Sequence, residues 1–331
     1  MAALTVMAQK PCPVWSMDFK TIFDNREGDA VYNEAQTFFM TQLAPEIGLS
    51  IDNGRHTVAG GVVWTQPIGC EWDGHKISPT LYYRYRHGGV EGWLGMFGRD
   101  QLARRLPDYI WNDSTYYVQR NIRGAGIVLR GSHGFMQGVV DWRGMQTERQ
   151  REAFNIIVDG EWRKGEESVL VAGGTAMMNH LARRKNSPDE ERVVDNFIAN
   201  PYIGVDFTSK AAWADTLTLK AGVLGSMTRD RGLNHKWVSR AGAWIEGYLG
   251  WKRLSVREEI YTGGRLFPYY NRYGAILDQG EPFYASPWYS RTDIGYALIK
   301  SNHVKLEASL DFHAAKDNLS FYQRLILQVN F

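Results

Sequence analysis

Hydrolysis needs a nucleophile, a base and an orienting group within reach of one another. Selective permeation needs charged side chains gathered around a constriction. For the first purpose the chain offers eight histidines: His56, His75, His87, His133, His180, His235, His303 and His313. No Gly-x-Ser-x-Gly elbow or His-Glu-x-x-His helix accompanies them, and glycine pairs such as Gly173-Gly174 open no nucleotide-binding helix. His75, His180, His235 and His313 fall near one rim of the architecture derived below and read as scattered surface groups. For the second purpose, charges recur two residues apart in Arg84 and Arg86, Asp141 and Arg143, Asp159 and Glu161, and Arg257 and Glu259. Alternate residues of a strand share a face, so each pair points into one space. The long connection from Gly98 to Arg120 adds Asp100, Arg104, Arg105 and Asp108.

The elements that must position these charges are strands. Val304, Leu306, Ala308, Leu310 and Phe312 alternate with Lys305, Glu307, Ser309, Asp311 and His313. Phe154 to Arg163 and Leu217 to Met227 repeat the pattern, whereas helical spacing would scatter the charges over both faces. Weaker alternation puts strands near 14–25, 37–51, 56–66, 79–87, 92–98, 121–131, 134–143, 167–179, 194–207, 239–251, 253–262, 287–300 and 319–331. The expectation is about 16 strands (14 to 18) in an all-β, transmembrane, antiparallel up-and-down β-barrel. Connections support it, because every second one is short (52–55, 87–91, 132–133, 164–166), the tenth, around 209–215, being the least tidy, and the intervening ones are long (27–36, 66–78, 99–120, 263–287). Short periplasmic turns and long extracellular loops follow, with both termini periplasmic.

Composition agrees. Twelve Trp and 17 Tyr accompany a mean hydropathy of −0.37, and no run of about 18 apolar residues exists to form a membrane helix. A net charge of +2 is too small to argue for nucleic acid. Cys12 and Cys70 form no disulfide framework or metal site by spacing. Residues 1–8 read as the remnant of a signal peptide, and 9–331 as a single barrel domain.

Leu325, Leu327, Val329 and Phe331 alternate along the last strand and end the chain on an aromatic. In this the chain resembles Gram-negative outer-membrane proteins, whose last strand carries such a signal for the barrel-assembly machinery. The length and position of the third long loop resemble those of general porins, where that loop folds into the lumen. Phe23-Asp24-Asn25-Arg26-Glu27 and Asp141-Trp142-Arg143-Gly144-Met145 resemble segments of porin-like outer-membrane barrels of Bacteroidetes. The resemblance implies an outer-membrane location, contact with outer-membrane lipids and lipopolysaccharide, and, by analogy with general porins, a homotrimer. It assigns no substrate.

The functional expectation is a porin-like channel for passive diffusion of small hydrophilic solutes, not an enzyme, with no cofactor and no metal. Arg84, Arg86, Asp100, Arg104, Arg105, Asp108, Asp141, Arg143, Asp159, Glu161, Arg257 and Glu259 are its pore-lining or constriction residues. Tyr269, Tyr270 and Arg272, in the aromatic cluster of the longest loop, are candidate ligand contacts. Trp15, Tyr83, Tyr85, Trp142, Trp162, Trp251 and Tyr289 read as interface girdles rather than sugar platforms. Two alternatives stand: a non-channel outer-membrane barrel, either a rim enzyme such as a protease or lipase or a subunit of a surface complex, and a soluble β-sandwich.

Overall fold

A strand whose alternate residues are apolar can put one face against lipid and the other against a polar interior, and closing the sheet removes the unpaired edges that lipid would punish. The chain does this in a computed structural model describing residues 10–28, 32, 35–165, 168–187, 191–233, 235–316 and 318–331. The reading of residues 1–8 as a signal remnant lies outside the described residues. The strands are β1 (Cys12–Glu27), β2 (Gln36–Ile51), β3 (His56–Pro67), β4 (Lys76–His87), β5 (Val90–Gly98), β6 (Asn121–Gly131), β7 (Gly134–Gly144) and β8 (Ala153–Arg163). They continue as β9 (Leu170–Leu181), β10 (Val194–Asp206), β11 (Thr216–Asp230), β12 (Val238–Trp251), β13 (Leu254–Gly263), β14 (Trp288–Lys300), β15 (Val304–Ala315) and β16 (Asn318–Asn330). Each pairs with its sequence neighbours, and β1 pairs with β16 to close the barrel. All pairings are antiparallel, so the expected up-and-down barrel of 16 strands is the fold.

The faces sort as the alternation demands. On β8, Ile156, Val158 and Trp162 are exposed on the outer wall, while Asn155, Ile157 and Asp159 are buried in the lumen. On β15, Leu310 and Phe312 face out, and Asp311 and His313 are buried inside. Exposed tryptophans gather at both ends of the wall: Trp15, Trp162 and Trp251 beside the short turns, and Trp142, Trp237 and Trp288 beside the long loops. Such belts mark the two membrane interfaces. Tyr289 corrects the girdle expectation. It is fully buried in the lumen, where its hydroxyl meets His313 Nδ1 at 2.7 Å, because its position on β14 faces inward beside Arg291.

Both described termini lie at the short-turn end, where the Phe331 and Met17 backbones bond to each other. Asp52, Asn53 and Lys252 take positive φ in two of the short turns. Connections at the opposite end are mostly longer, with two exceptions: only residues 316–317 separate β15 from β16, and at the short-turn end residues 207–215 separate β10 from β11.

Candidate functional site

The 99–120 connection is a strut across the lumen, and charge fixes it there. Arg99 lies 3.8 Å over the Trp111 ring and bonds to Asp141 on β7 at 2.7 Å, with both side chains buried. Arg104 reaches Asp159 (2.6 Å) and Glu161 (3.3 Å) on β8. The Tyr109 hydroxyl donates to Asn200 on β10 at 3.0 Å. Asp108 accepts from Arg257 on β13 (2.6 Å) and Arg291 on β14 (3.0 Å). A short helix, α1 (Asp113–Val118), is capped by Asn112, whose side chain accepts from the Thr115 amide. Asp113 at its start accepts from Arg105 (2.7 Å), Arg291 (3.1 Å) and Arg324 (2.9 Å). Burial alone would push the Asp108 and Asp113 carboxyls up. The surrounding guanidinia outweigh it and hold both well below the usual carboxylate range.

The connection from 264 to 287 is a second insert, locked to the first. The Asn112 amide donates to the Gln279 carbonyl (2.9 Å) and the Glu281 amide to the Asp108 carbonyl (2.7 Å). The Gln279 side chain accepts from Asn155 (2.9 Å), and Asp278 accepts from Asn196 (2.7 Å). Leu266, Phe267, Phe283 and Tyr284 bury their side chains in the main core cluster with Tyr109 and Trp244. The crossing of the two inserts is tight at Gly280, where a Cβ would lie 2.4 Å from the Tyr109 carbonyl oxygen and 2.6 Å from its carbon. Gly280→Ala should therefore separate the inserts and cost about 1–3 kcal/mol of overpacking. Faster proteolysis within 264–287 in a barrel that stays folded checks it; unchanged cleavage contradicts the packing.

Cavities flank the strut. One of about 320 Å³ is lined by Arg104, Arg105, Asp108, Glu246, Arg257 and Arg291. Another, of about 450 Å³, holds Arg84, Arg86, Asp18, Glu46, Asp100 and Arg120. Arg84 and Arg86 thus face the base of the strut rather than its tip, because β4 brings them down to the short-turn end, where Arg86 pairs with Glu91. Arg143 sits apart from both cavities' charges and bonds to Asn179 at 2.7 Å and to the Ile276 carbonyl at 3.0 Å. Arg257 binds Glu259, and Glu259 also accepts from Trp244 at 3.1 Å. Tyr270 packs on Phe267 with ring centroids 6.3 Å apart, Tyr269 packs against the small cluster of Leu181 and Leu277, and Arg272 lies 3.5 Å from Asp230. Leu325 is exposed on the last strand, which closes the wall, and Phe331, just past its end, is exposed too.

Sequence reasoning missed two features. It took 263–287 for an external loop, although its buried Phe267, Leu277, Phe283 and Tyr284 signal an insert with a core of its own. It also passed over the outer wall at the long-loop rim. There Gln323, Asn25 and Thr37 stand in register across β16, β1 and β2. Thr37 Oγ1 donates to Asn25 Oδ1 (2.8 Å), and Asn25 Nδ2 donates to Glu27 (2.9 Å) and Gln323 (3.3 Å). Phe23 and Phe39 pack edge to face one pleat below, on the same face. An oriented carboxylate therefore sits just above the apolar wall.

Solved outer-membrane proteins of Pseudomonas aeruginosa share the fold. OccK1 (OpdK) matches with a TM-score of 0.54 at 11% identity, covering 96% of this chain and 98% of that one. OpdL matches with a TM-score of 0.55 at 9% identity over the same shares. OccK2 (OpdF), solved in complex with glucuronate, matches with a TM-score of 0.52 at 8% identity, again over 96% and 98%. No curated protein matches the sequence. A family model does, described as lipid A 3′-O-deacylase-type and spanning residues 15–331. That match overturns the expectation that the chain is not an enzyme, since the family is an enzyme family. With nearly its whole length covered, this outer-membrane barrel belongs to the lipid A 3′-O-deacylase-type family.

Proposed function

We propose that the chain is a hydrolase of the outer membrane that removes an O-linked acyl chain from an outer-leaflet glycolipid, with its long-loop end and rim facing outside. The observation that carries this reading is the family match over residues 15–331. The geometry supports it, because the two inserts cross the lumen and leave the outer wall as the surface that lipid reaches. Short turns and both described termini at one end agree with that end being periplasmic.

Ester hydrolysis requires a base that takes the proton of the attacking water, a group that stabilises the oxyanion, and a proton for the departing alkoxide. Glu27, held by Asn25, stands on the outer wall where a lipid ester would lie; in this reading it is the base, and the proton it takes from the attacking water passes to the departing alkoxide. The Asn25 amide orients it, and the Thr37 hydroxyl, donating to Asn25 Oδ1, orients Asn25 in turn. Glu27→Gln keeps the shape and removes the base, and it should lower fatty-acid release by about 10²-fold or more. A folded variant that releases fatty acid as fast as the parent would remove Glu27 from this role.

A second reading, passive conduction of small hydrophilic solutes, is favoured by the polar cavities on the two sides of the strut. The OccK2 structure with glucuronate concerns that protein; here the likeness supplies only the fold. Discrete conductance steps from the parent protein in a planar bilayer would support it, and a silent folded barrel would contradict it.

A further inference from the structure

A row of side chains on the outer wall at the long-loop rim is used by neither reading. Trp142, Phe154, His180, Asp195 and Arg229 stand in register on β7, β8, β9, β10 and β11. Their rings stack, with centroids 5.0 Å apart for Trp142 and Phe154 and 5.1 Å for Phe154 and His180. His180 Nδ1 lies 3.3 Å from one oxygen of Asp195. The other oxygen accepts from Arg229 and from Arg231, each at 2.7 Å. Arg229 is steadied from the far side by Trp237, with its guanidinium carbon 4.5 Å above that ring.

One carboxylate thus ties two guanidinia to one point, and the cluster has a net positive charge before His180 is protonated. A guanidinium has five N–H donors, and each of these two spends Nε and one terminal nitrogen on Asp195. The remaining donors lie on a wall whose next pleat is apolar, since Phe197 and Met227, two residues further along the same face of β10 and β11, are exposed. Cations just above a lipid-facing band, flanked by interface tryptophans, sit at headgroup depth. Paired planar guanidinia match the oxygens of a phosphate.

We infer that this row docks the phosphate of an outer-leaflet lipid headgroup against the barrel wall. The site rests on the outward orientation proposed above but on no hydrolytic step. It lies on strands remote from Glu27, so it holds a lipid beside the wall and does not cleave it.

The test is native mass spectrometry of the full chain in micelles. Parent and variants are incubated with lipid A bearing its phosphates, and with the same lipid after phosphatase treatment. The parent should retain the phosphorylated lipid, and R229Q/R231Q should retain it about tenfold less. Both should hold the dephosphorylated lipid equally weakly. R231Q alone, which leaves Asp195 paired with Arg229 and His180, should lose part of the retention and decides the matter if the double variant does not fold. Retention by folded R231Q equal to the parent's would overturn the site. So would full displacement of the lipid by excess inorganic phosphate, which would make it a site for free anions. Retention is read whether or not an acyl chain is removed, and proteolytic shaving of intact cells reads the orientation, so the three claims fail separately.

Discussion

Asp108→Ala should widen the path through a lumen that the two inserts obstruct. The carboxylate is buried, accepts from Arg257 at 2.6 Å and Arg291 at 3.0 Å, and sits where the two inserts cross. Its removal takes one counter-charge from each of two guanidinia, which keep Glu246 and Glu259 (Arg257) and Asp113 (Arg291), so about 1–3 kcal/mol is lost, and it is lost from the strut. Asp293, 3.4 Å from Arg257 and 2.6 Å from Arg291, limits the damage without reaching the strut. The barrel's backbone hydrogen bonds do not depend on Asp108, so the wall should persist while the strut leaves the lumen. Larger and more frequent conductance steps than the parent's in a planar bilayer are the expected result. Identical conductance from a folded variant would mean that Asp108 does not hold the strut.

The second large effect is a pH dependence of the inner packing. Burial pushes the Asp278 carboxyl up to about 7 and the Glu281 carboxyl up to about 8. Arg143 opposes the shift at Asp278. Arg291 and Arg26 oppose it at Glu281, where Asp113 and Asp108 reinforce it. Both groups lie in the 264–287 insert, and one Glu281 oxygen has no hydrogen-bond partner. Their folded values exceed the unfolded ones of 3.8 and 4.5, so the packed insert binds more protons than a released one. Its stability is therefore full at acid pH and falls as pH rises from about 4 through about 8, by several kcal/mol in all. Proteolysis within 264–287 should be slow near pH 5 and fast near pH 9. Glu281→Gln should remove about half of that dependence and leave the part due to Asp278. A cleavage rate that is level across the range, or that falls with pH, would contradict the assignment.

The sequence made the wall legible because a strand between lipid and a polar lumen has a strict period of two. Asp311 and His313 against Leu310 and Phe312 show it, and even the short 132–133 turn could be located. Loops have no period, and their destinations were harder to read. The third loop's length pointed into the lumen, but its partners had to be seen: Asp108 meets Arg257 and Arg291 across more than a hundred residues of chain. The 264–287 segment looked external because loops usually are, yet its Phe and Tyr residues needed a core, and the space beside the strut supplied it. Histidine spacing hid the outer rim for a similar reason. His180 and Asp195 lie 15 residues apart in the chain and become neighbours only through the pairing of β9 with β10. The proposed catalytic group left no trace in motif form, because Gln323 reaches Asn25 only through barrel closure and Thr37 only through the pairing of β1 with β2.

The central claim is that the chain acts chemically on a lipid from its outer wall. The measurement that tests it most directly is mass spectrometry of lipid A after incubation with the purified, folded parent protein in mixed micelles. The account predicts loss of one O-linked acyl chain, matched by the appearance of the free fatty acid. A lipid of unchanged mass, from protein whose barrel is shown to be intact, would contradict it.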